Sequence, residues 1–212
     1  MVSDWIDFTR WDPDELHAQW SAARPFPHVI LDDLVAEDKL QELRTAVSRE
    51  PHTPNIEHFY EMMASGLTVK HAVLADFAAT LGSRPALDFI GAVSGKTVTR
   101  VEMRSYVYLA GSYLLPHSDN RAGVGRLVAY AYYLLPRESC TGGELELFDC
   151  DVEAGDVTAT RPGPIIEPRG NRMVVFEVSP WSLHQVREVT AGGRVSLSGW
   201  FFGDAGTGPG SA

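Results

Sequence analysis

The sequence predicts an α+β domain in which helices come first and a β-sandwich or jelly roll follows. Two rhythms carry this expectation. Up to about residue 96, apolar residues recur mostly at helical spacing. From about residue 97 the period falls to two, in short β-branched and aromatic runs separated by Gly and Pro. Length sets the scale: 212 residues, 44% of them hydrophobic, make one domain with enough chain to bury a sizeable core. The expected layout is a single domain over 1–203, helical to about 96 and β-rich from about 97, with a flexible Gly-rich tail at 204–212.

Taken in order, "DPDELHAQWSA" offers an Asp cap, Asp12, ahead of helix formers. "FPHVILDDL" reads as a short apolar strand. "VAEDKLQELRTAVSRE" sets Leu40, Leu43 and Val47 on one helical face, with acids early and arginines late, as the helix dipole prefers. "IEHFYEMMASGLTVKH" at 56–71 reads as a partly buried loop or helix, with a substrate lid as its functional alternative. "LADFAATLGSRPALDFIGAVSG" contains one or two further helices punctuated by Gly and Pro. The strands expected after that are "TVTRVEMRSYVYLA", "RLVAYAYYLL", "GGELELFD", "NRMVVFEV", "SLHQVREVT" and "RVSLSGWFFG". In "GGELELFD" Leu145 and Leu147 fall on one face and Glu144 and Glu146 on the other.

A net charge of −10 argues against a nucleic-acid partner, which needs clustered Lys and Arg, and mildly favours a cationic or zwitterionic substrate. The acidic start "MVSDWIDFTRWDPDEL" is not a signal peptide, and no run approaches the ~18 apolar residues of a membrane span, so no membrane role and a cytoplasmic location are expected. Cys140 and Cys150 lack zinc-ligand spacing and read as free thiols.

Chemistry is expected in the second half. "YLLPHSDNRAG" begins as a strand and carries His117 and Asp119 two positions apart, which puts them on one strand face roughly 7 Å apart at the backbone. Such a pair holds one edge of a metal ion; His184, in a separate strand-like segment, is the candidate third donor. Two histidines and a carboxylate form a facial triad that leaves three positions open for a chelating cosubstrate and O2. In "GRVSLSGWFF", alternation places Arg194, Ser196, Ser198, Trp200 and Phe202 together, a face that suits a ligand cavity with an anionic end. Tyr133 shares its strand face with Leu127, Ala129, Ala131 and Leu135, where its hydroxyl needs a partner and the alanines leave room for a ligand. Tyr108 is a further inward candidate.

At these residues the sequence resembles the Fe(II)/2-oxoglutarate-dependent dioxygenases, in particular their prolyl 4-hydroxylase-like branch. The motif H-x-D is "HSD", the distal histidine is His184, and R-x-S is Arg194 to Ser196. "YLAGSYLLPHSDN", "RLVAYAYYLLPRESCTGGELELF" and "RPFPHVILDDLVAEDKLQELR" resemble the flanking segments, so the likeness covers roughly 24–203. The resemblance implies a double-stranded β-helix with Fe(II) on His117, Asp119 and His184. It also implies 2-oxoglutarate with its far carboxylate on Arg194 and Tyr133, supported by Ser196 and Tyr108, and O2 as cosubstrate. Trp200 matches an aromatic near the metal, and Arg121 or Arg126 would face substrate.

The implied reaction is hydroxylation of an unactivated aliphatic C–H in an amino-acid-like substrate, free, peptidyl or carrier-bound, with the compact chain tilting toward a small molecule. Desaturation or cyclisation by the same chemistry is the near alternative. Relatives that act on nucleic-acid bases carry an arginine where this chain has Trp200, and halogenating relatives lack the carboxylate that Asp119 supplies. A zinc hydrolase on the same three donors and a non-catalytic ligand-binding jelly roll are the readings from other classes; no G-x-S-x-G elbow supports a serine hydrolase.

Overall fold

The computed structural model describes residues 5–203, so the expected tail at 204–212 lies outside the described residues. Helix α1 (Pro13–Ala22) starts where Asp12 accepts a hydrogen bond from the Asp14 amide at 2.9 Å, with Pro in the first turn. Helix α2 (Glu37–Arg49) buries Leu40, Leu43 and Val47, as their spacing requires. The next helical stretch divides into α3 (Ala72–Leu81) and α4 (Arg84–Ser94). Gly82 and Ser83 separate them, and Ser83 caps the second through the Ala86 amide. Among the described residues no helix is long and apolar enough to cross a membrane.

The strands are β1 (His28–Leu31), β2 (His52–Glu57), β3 (Tyr60–Ser65), β4 (Arg100–Leu109), β5 (Tyr113–His117), β6 (Arg126–Tyr133), β7 (Cys140–Gly142), β8 (Leu145–Glu153), β9 (Asp156–Ile166), β10 (Arg172–Glu177), β11 (His184–Val186) and β12 (Val189–Phe202). They run in the order β1-β10-β6-β12-β4-β3-β5-β11-β8-β9, with β2 hanging on β3 and β7 on β12. All the pairings are antiparallel, and the sheet folds on itself between β3 and β5 into the two layers of a jelly roll.

The alternation of β6 shows how the layers divide the core. Val128, Tyr130 and Tyr132 point outward to a cluster shared with all four helices, which includes Leu43, Leu74, Phe77 and Ile90. Ala129, Ala131 and Tyr133 point inward to meet Leu145, Leu147 and Phe176. The helices thus back one layer only. Leu145 and Leu147 face in as expected, while Glu146 on the outer face accepts from Gln185 at 2.8 Å. Leu127 instead packs with the helix-side cluster, next to a register shift where β6 meets β12.

Four strands, β2, β3, β7 and β9, escaped the sequence reading. Residues 52–65 form a hairpin, which takes in 56–65 of the stretch 56–71 expected as a partly buried loop or helix. Tyr60, Met62 and Ala64 alternate with more exposed Glu61 and Met63, a period-two pattern too short to stand out among mixed residues. β9 carries Pro162 and Pro164, which remove ladder donors, yet it is an edge strand with one neighbour and tolerates them. β7 has three residues, below any periodic signal.

Strand β5 holds the feature that positions the site. Its register against β11 shifts between His184↔His117 and Val186↔Leu114, so two residues, Leu115 and Pro116, stand opposite Gln185 alone. This bulge absorbs Pro116, which has no N–H to give to the ladder.

Candidate functional site

His117 ends β5, and His184 opens β11 directly across from it. Asp119 is not on the strand. It lies two residues past the end of β5, in a loop shaped by Ser118, whose hydroxyl donates to the Ser179 carbonyl at 2.6 Å and accepts from the Asn120 amide at 3.1 Å. The pair therefore converges, but through a turn and not through strand parity.

The His117 Nδ1–H donates to the Leu115 carbonyl at 2.9 Å and the His184 Nδ1–H to the Ser182 carbonyl at 3.0 Å. A carbonyl only accepts, so each ring carries a proton on Nδ1 and turns Nε2 toward the cavity. Those Nε2 atoms face one carboxylate: His117 Nε2 is 3.8 Å from Asp119 Oδ1 and His184 Nε2 is 3.5 Å from Asp119 Oδ2. The three donors lie within 4.8 Å of one another. Burial lowers the His184 pKa to about 4, against the opposing pull of Asp119, so the ring is neutral near pH 7. Two imidazoles that both present Nε2 to one carboxylate fit a divalent first-row metal.

Deeper in the same cavity, of about 460 Å³, lies Arg194. It is 4% exposed and has no carboxylate partner among the described residues; its Nε is buried without a hydrogen bond. Its guanidinium stands 4.7 Å from the Tyr108 ring and 4.9 Å from that of Tyr133, and Nη1 donates to Ser196 Oγ at 3.5 Å. The Tyr133 hydroxyl is likewise buried and unpartnered. Burial raises the Tyr108 pKa far above the ordinary phenol value, so this hydroxyl stays a donor. A buried, unpaired guanidinium is costly, and an unpaired hydroxyl beside it adds to the cost. A ligand carboxylate would satisfy both. Gly143 makes room for the guanidinium stem: its φ is +74°, and a Cβ there would sit 3.2 Å from Arg194 Cδ.

Ser198 and Trp200 line the cavity with Arg194 and Ser196, as alternation along β12 predicts. Phe202 does not; the register against β6 shifts between Phe201 and Phe202, and Phe202 packs under Arg100 instead. Arg126 lays its guanidinium 3.5 Å above the Trp200 ring and brings Nη1 to 3.8 Å from Asp119 Oδ1. Arg121 also lines the cavity. The ten residues given site roles from the sequence therefore gather at one place, while Phe202, expected on the same strand face, does not join them. Missed were Tyr106, which strand parity with Tyr108 could have found, together with Arg104 and the hairpin residues Phe59, Tyr60 and Met62. The two cysteines are free, as expected.

Comparison with known proteins agrees with this geometry. Residues 103–202 match the family model of the 2OG-Fe(II) oxygenase superfamily. Over 196 residues the chain is 32% identical to prolyl 3-hydroxylase OGFOD1 of Xenopus laevis, covering 84% of this chain and 35% of that protein. The chain thus spans about a third of that relative's length. Among solved structures it is similar to a Pseudomonas putida prolyl-4-hydroxylase (TM-score 0.66, 19% identity, 89% of this chain and 99% of that one). It is also similar to an oxidoreductase of the 2OG-Fe(II) oxygenase family from Burkholderia pseudomallei (TM-score 0.69, 17% identity, 94% and 95%). At these identities the structural likeness establishes the double-stranded β-helix fold.

Proposed function

We propose, for a chain that belongs to the 2OG-Fe(II) oxygenase superfamily, that it hydroxylates a prolyl residue within a peptide or protein. Enzymes of this superfamily are oxidoreductases that use Fe(II), 2-oxoglutarate and O2. The observation that carries the reading is the shared cavity. A metal-competent His-Asp-His cluster and a buried arginine without a counter-ion face the same space. The name of the Xenopus relative turns the earlier tilt toward a small molecule into one toward a peptidyl substrate.

In this reading His117, Asp119 and His184 hold Fe(II), which supplies the chemistry that decarboxylates 2-oxoglutarate to succinate and CO2 and hydroxylates a C–H bond. Arg194 binds the far carboxylate of 2-oxoglutarate, with the Tyr133 hydroxyl as a second donor and Ser196 orienting the guanidinium. Tyr108 flanks the same guanidinium and excludes water from it. Trp200 and Arg126 form the wall against which the substrate ring rests. The hairpin residues Phe59, Tyr60 and Met62 cover the mouth, which fits the lid function rather than a purely structural one for 52–65.

The deciding experiment is a succinate-release screen over proline-containing peptides, free amino acids and aliphatic carboxylates, with mass spectrometry of the products. A peptide that gains one oxygen on proline, with matching succinate, is the expected result. Succinate that rises only with a free amino acid would sink the peptidyl assignment, and a metal-dependent hydrolysis indifferent to 2-oxoglutarate would sink the whole reading.

A further inference from the structure

The mouth of the cavity carries a charge pattern that the oxygenase chemistry does not use. Arg104 on β4, Arg121 in the loop after His117 and Arg126 at the start of β6 all line it. The carboxylates on the same wall are Glu102 and Asp119. Glu102 is taken by Arg100, at 2.6 Å, and Asp119 faces the two histidines and, at 3.8 Å, Arg126. Among the described residues neither Arg104 nor Arg121 has an ion-pair partner, although Arg44, Arg84, Arg161 and Arg172 each found one in this acidic chain. Arg104 and Arg126 are also held in place. Arg104 Nε donates to the Ser65 carbonyl at 2.9 Å, and its guanidinium lies 5.5 Å from the Tyr106 ring. Arg126 is fixed flat on Trp200, and its Nε and the Trp200 Nε1 are buried donors without acceptors.

Ordered guanidinium groups with spare donors favour an incoming carboxylate, because the ordering entropy is already spent and the geometry is bidentate. A neutral substrate that covered this wall would strip water from the cations and return nothing. We infer that the substrate places a carboxylate against Arg104, Arg121 and Arg126, next to the residue being oxidised. The mild preference for a cationic substrate suggested by net charge is thus reversed inside the cavity. The inference rests on the prolyl reading only for which residue is oxidised. The carboxylate has two possible sources, an Asp or Glu side chain flanking the target or a free peptide C-terminus.

The test is calorimetric binding of short peptides to the full chain, saturated with Mn(II) and 2-oxoglutarate so that no turnover occurs. The panel has four charge types around one central proline: acidic flanks with an amidated end, neutral flanks with a free carboxylate, neutral flanks amidated, and lysine flanks amidated. An identical panel has alanine in place of proline. At least one carboxylate-bearing peptide is expected to bind about tenfold or more tightly than the neutral amide, and which of the two does so identifies the source. Arg121→Glu should shift the preference toward the lysine peptide. If all charge types bind equally but proline is required, the carboxylate inference is overturned and the prolyl reading stands. If the carboxylate preference survives without proline, the inference stands and the prolyl reading falls. If no peptide binds, both fall.

Discussion

At the deep end of the cavity Arg194 and Tyr108 are 4% and 3% exposed and Tyr133 is sealed, whereas at the mouth Phe59 is 45% and Leu67 80% exposed. The contrast follows from the strands. β6 and β12 are long and hydrogen-bonded on both sides, to β10 and each other and to β4, so every inward side chain has fixed neighbours. The hairpin of β2 and β3 has a free edge along β2 and reaches the rest of the sheet through a few rungs to β4 and β5. A rigid end suits a cosubstrate that never changes; a lightly tethered end suits a substrate that must enter and leave.

The largest effect should come from the boundary between the two ends. His184→Ala removes the donor that β11 contributes and should drop succinate formation by more than about a thousandfold, with metal lost on desalting. Turnover that survives undiminished would remove His184 from the ligand set. Next, Arg194→Ala at the deep end should raise the 2-oxoglutarate KM by about 10- to 150-fold, from the loss of a charged hydrogen bond of about 1.5–3 kcal/mol. Tyr133→Phe should raise it by only about 2- to 12-fold. An unmoved 2-oxoglutarate KM in both variants would show that the cosubstrate carboxylate binds elsewhere.

At the mouth, Phe59→Ala should raise the peptide KM by about tenfold through lost apolar contact, while the 2-oxoglutarate KM shifts less than about twofold. Equal shifts in both constants would mean that the two ends are one unit. The smallest effect lies far from either. Asp32 is held below the usual carboxylate range by its hydrogen bonds to Arg172, at 2.7 and 3.0 Å, which tie the end of β1 to β10. Because the folded pKa is the lower one, this contribution is full above the unfolded value of about 3.9 and fades as pH falls through the folded value. Asp32→Asn should therefore cost about 1 kcal/mol or less at pH 7 and nothing once the carboxyl is protonated, as read from urea melts at both pH values.

The deep end was the legible part. Strand alternation on β12 placed Arg194, Ser196, Ser198 and Trp200 together correctly, since a buried two-sided strand leaves its side chains no other option. It failed for Phe202, where the register slips, and for Asp119, which reaches the site through a loop that periodicity does not describe. The mouth stayed hidden because His52–Ser65 gains its strand character from pairing with distant β4 and β5, a tertiary effect with faint local signal. The arginine wall was half visible: Arg121 and Arg126 were named, but Arg104 looked like an ordinary charged strand residue.

The bulge at Leu115 and Pro116 has one more implication. Leu114 and His117 both look into the cavity, though an odd spacing on a regular strand sends side chains to opposite faces. The extra residue is a half-step of phase, and it is what turns the imidazole inward. Straightening the ladder at unchanged length would therefore turn the ring away from the cavity, whereas deleting Pro116 removes the bulge and the half-step together and leaves the imidazole facing inward, opposite His184.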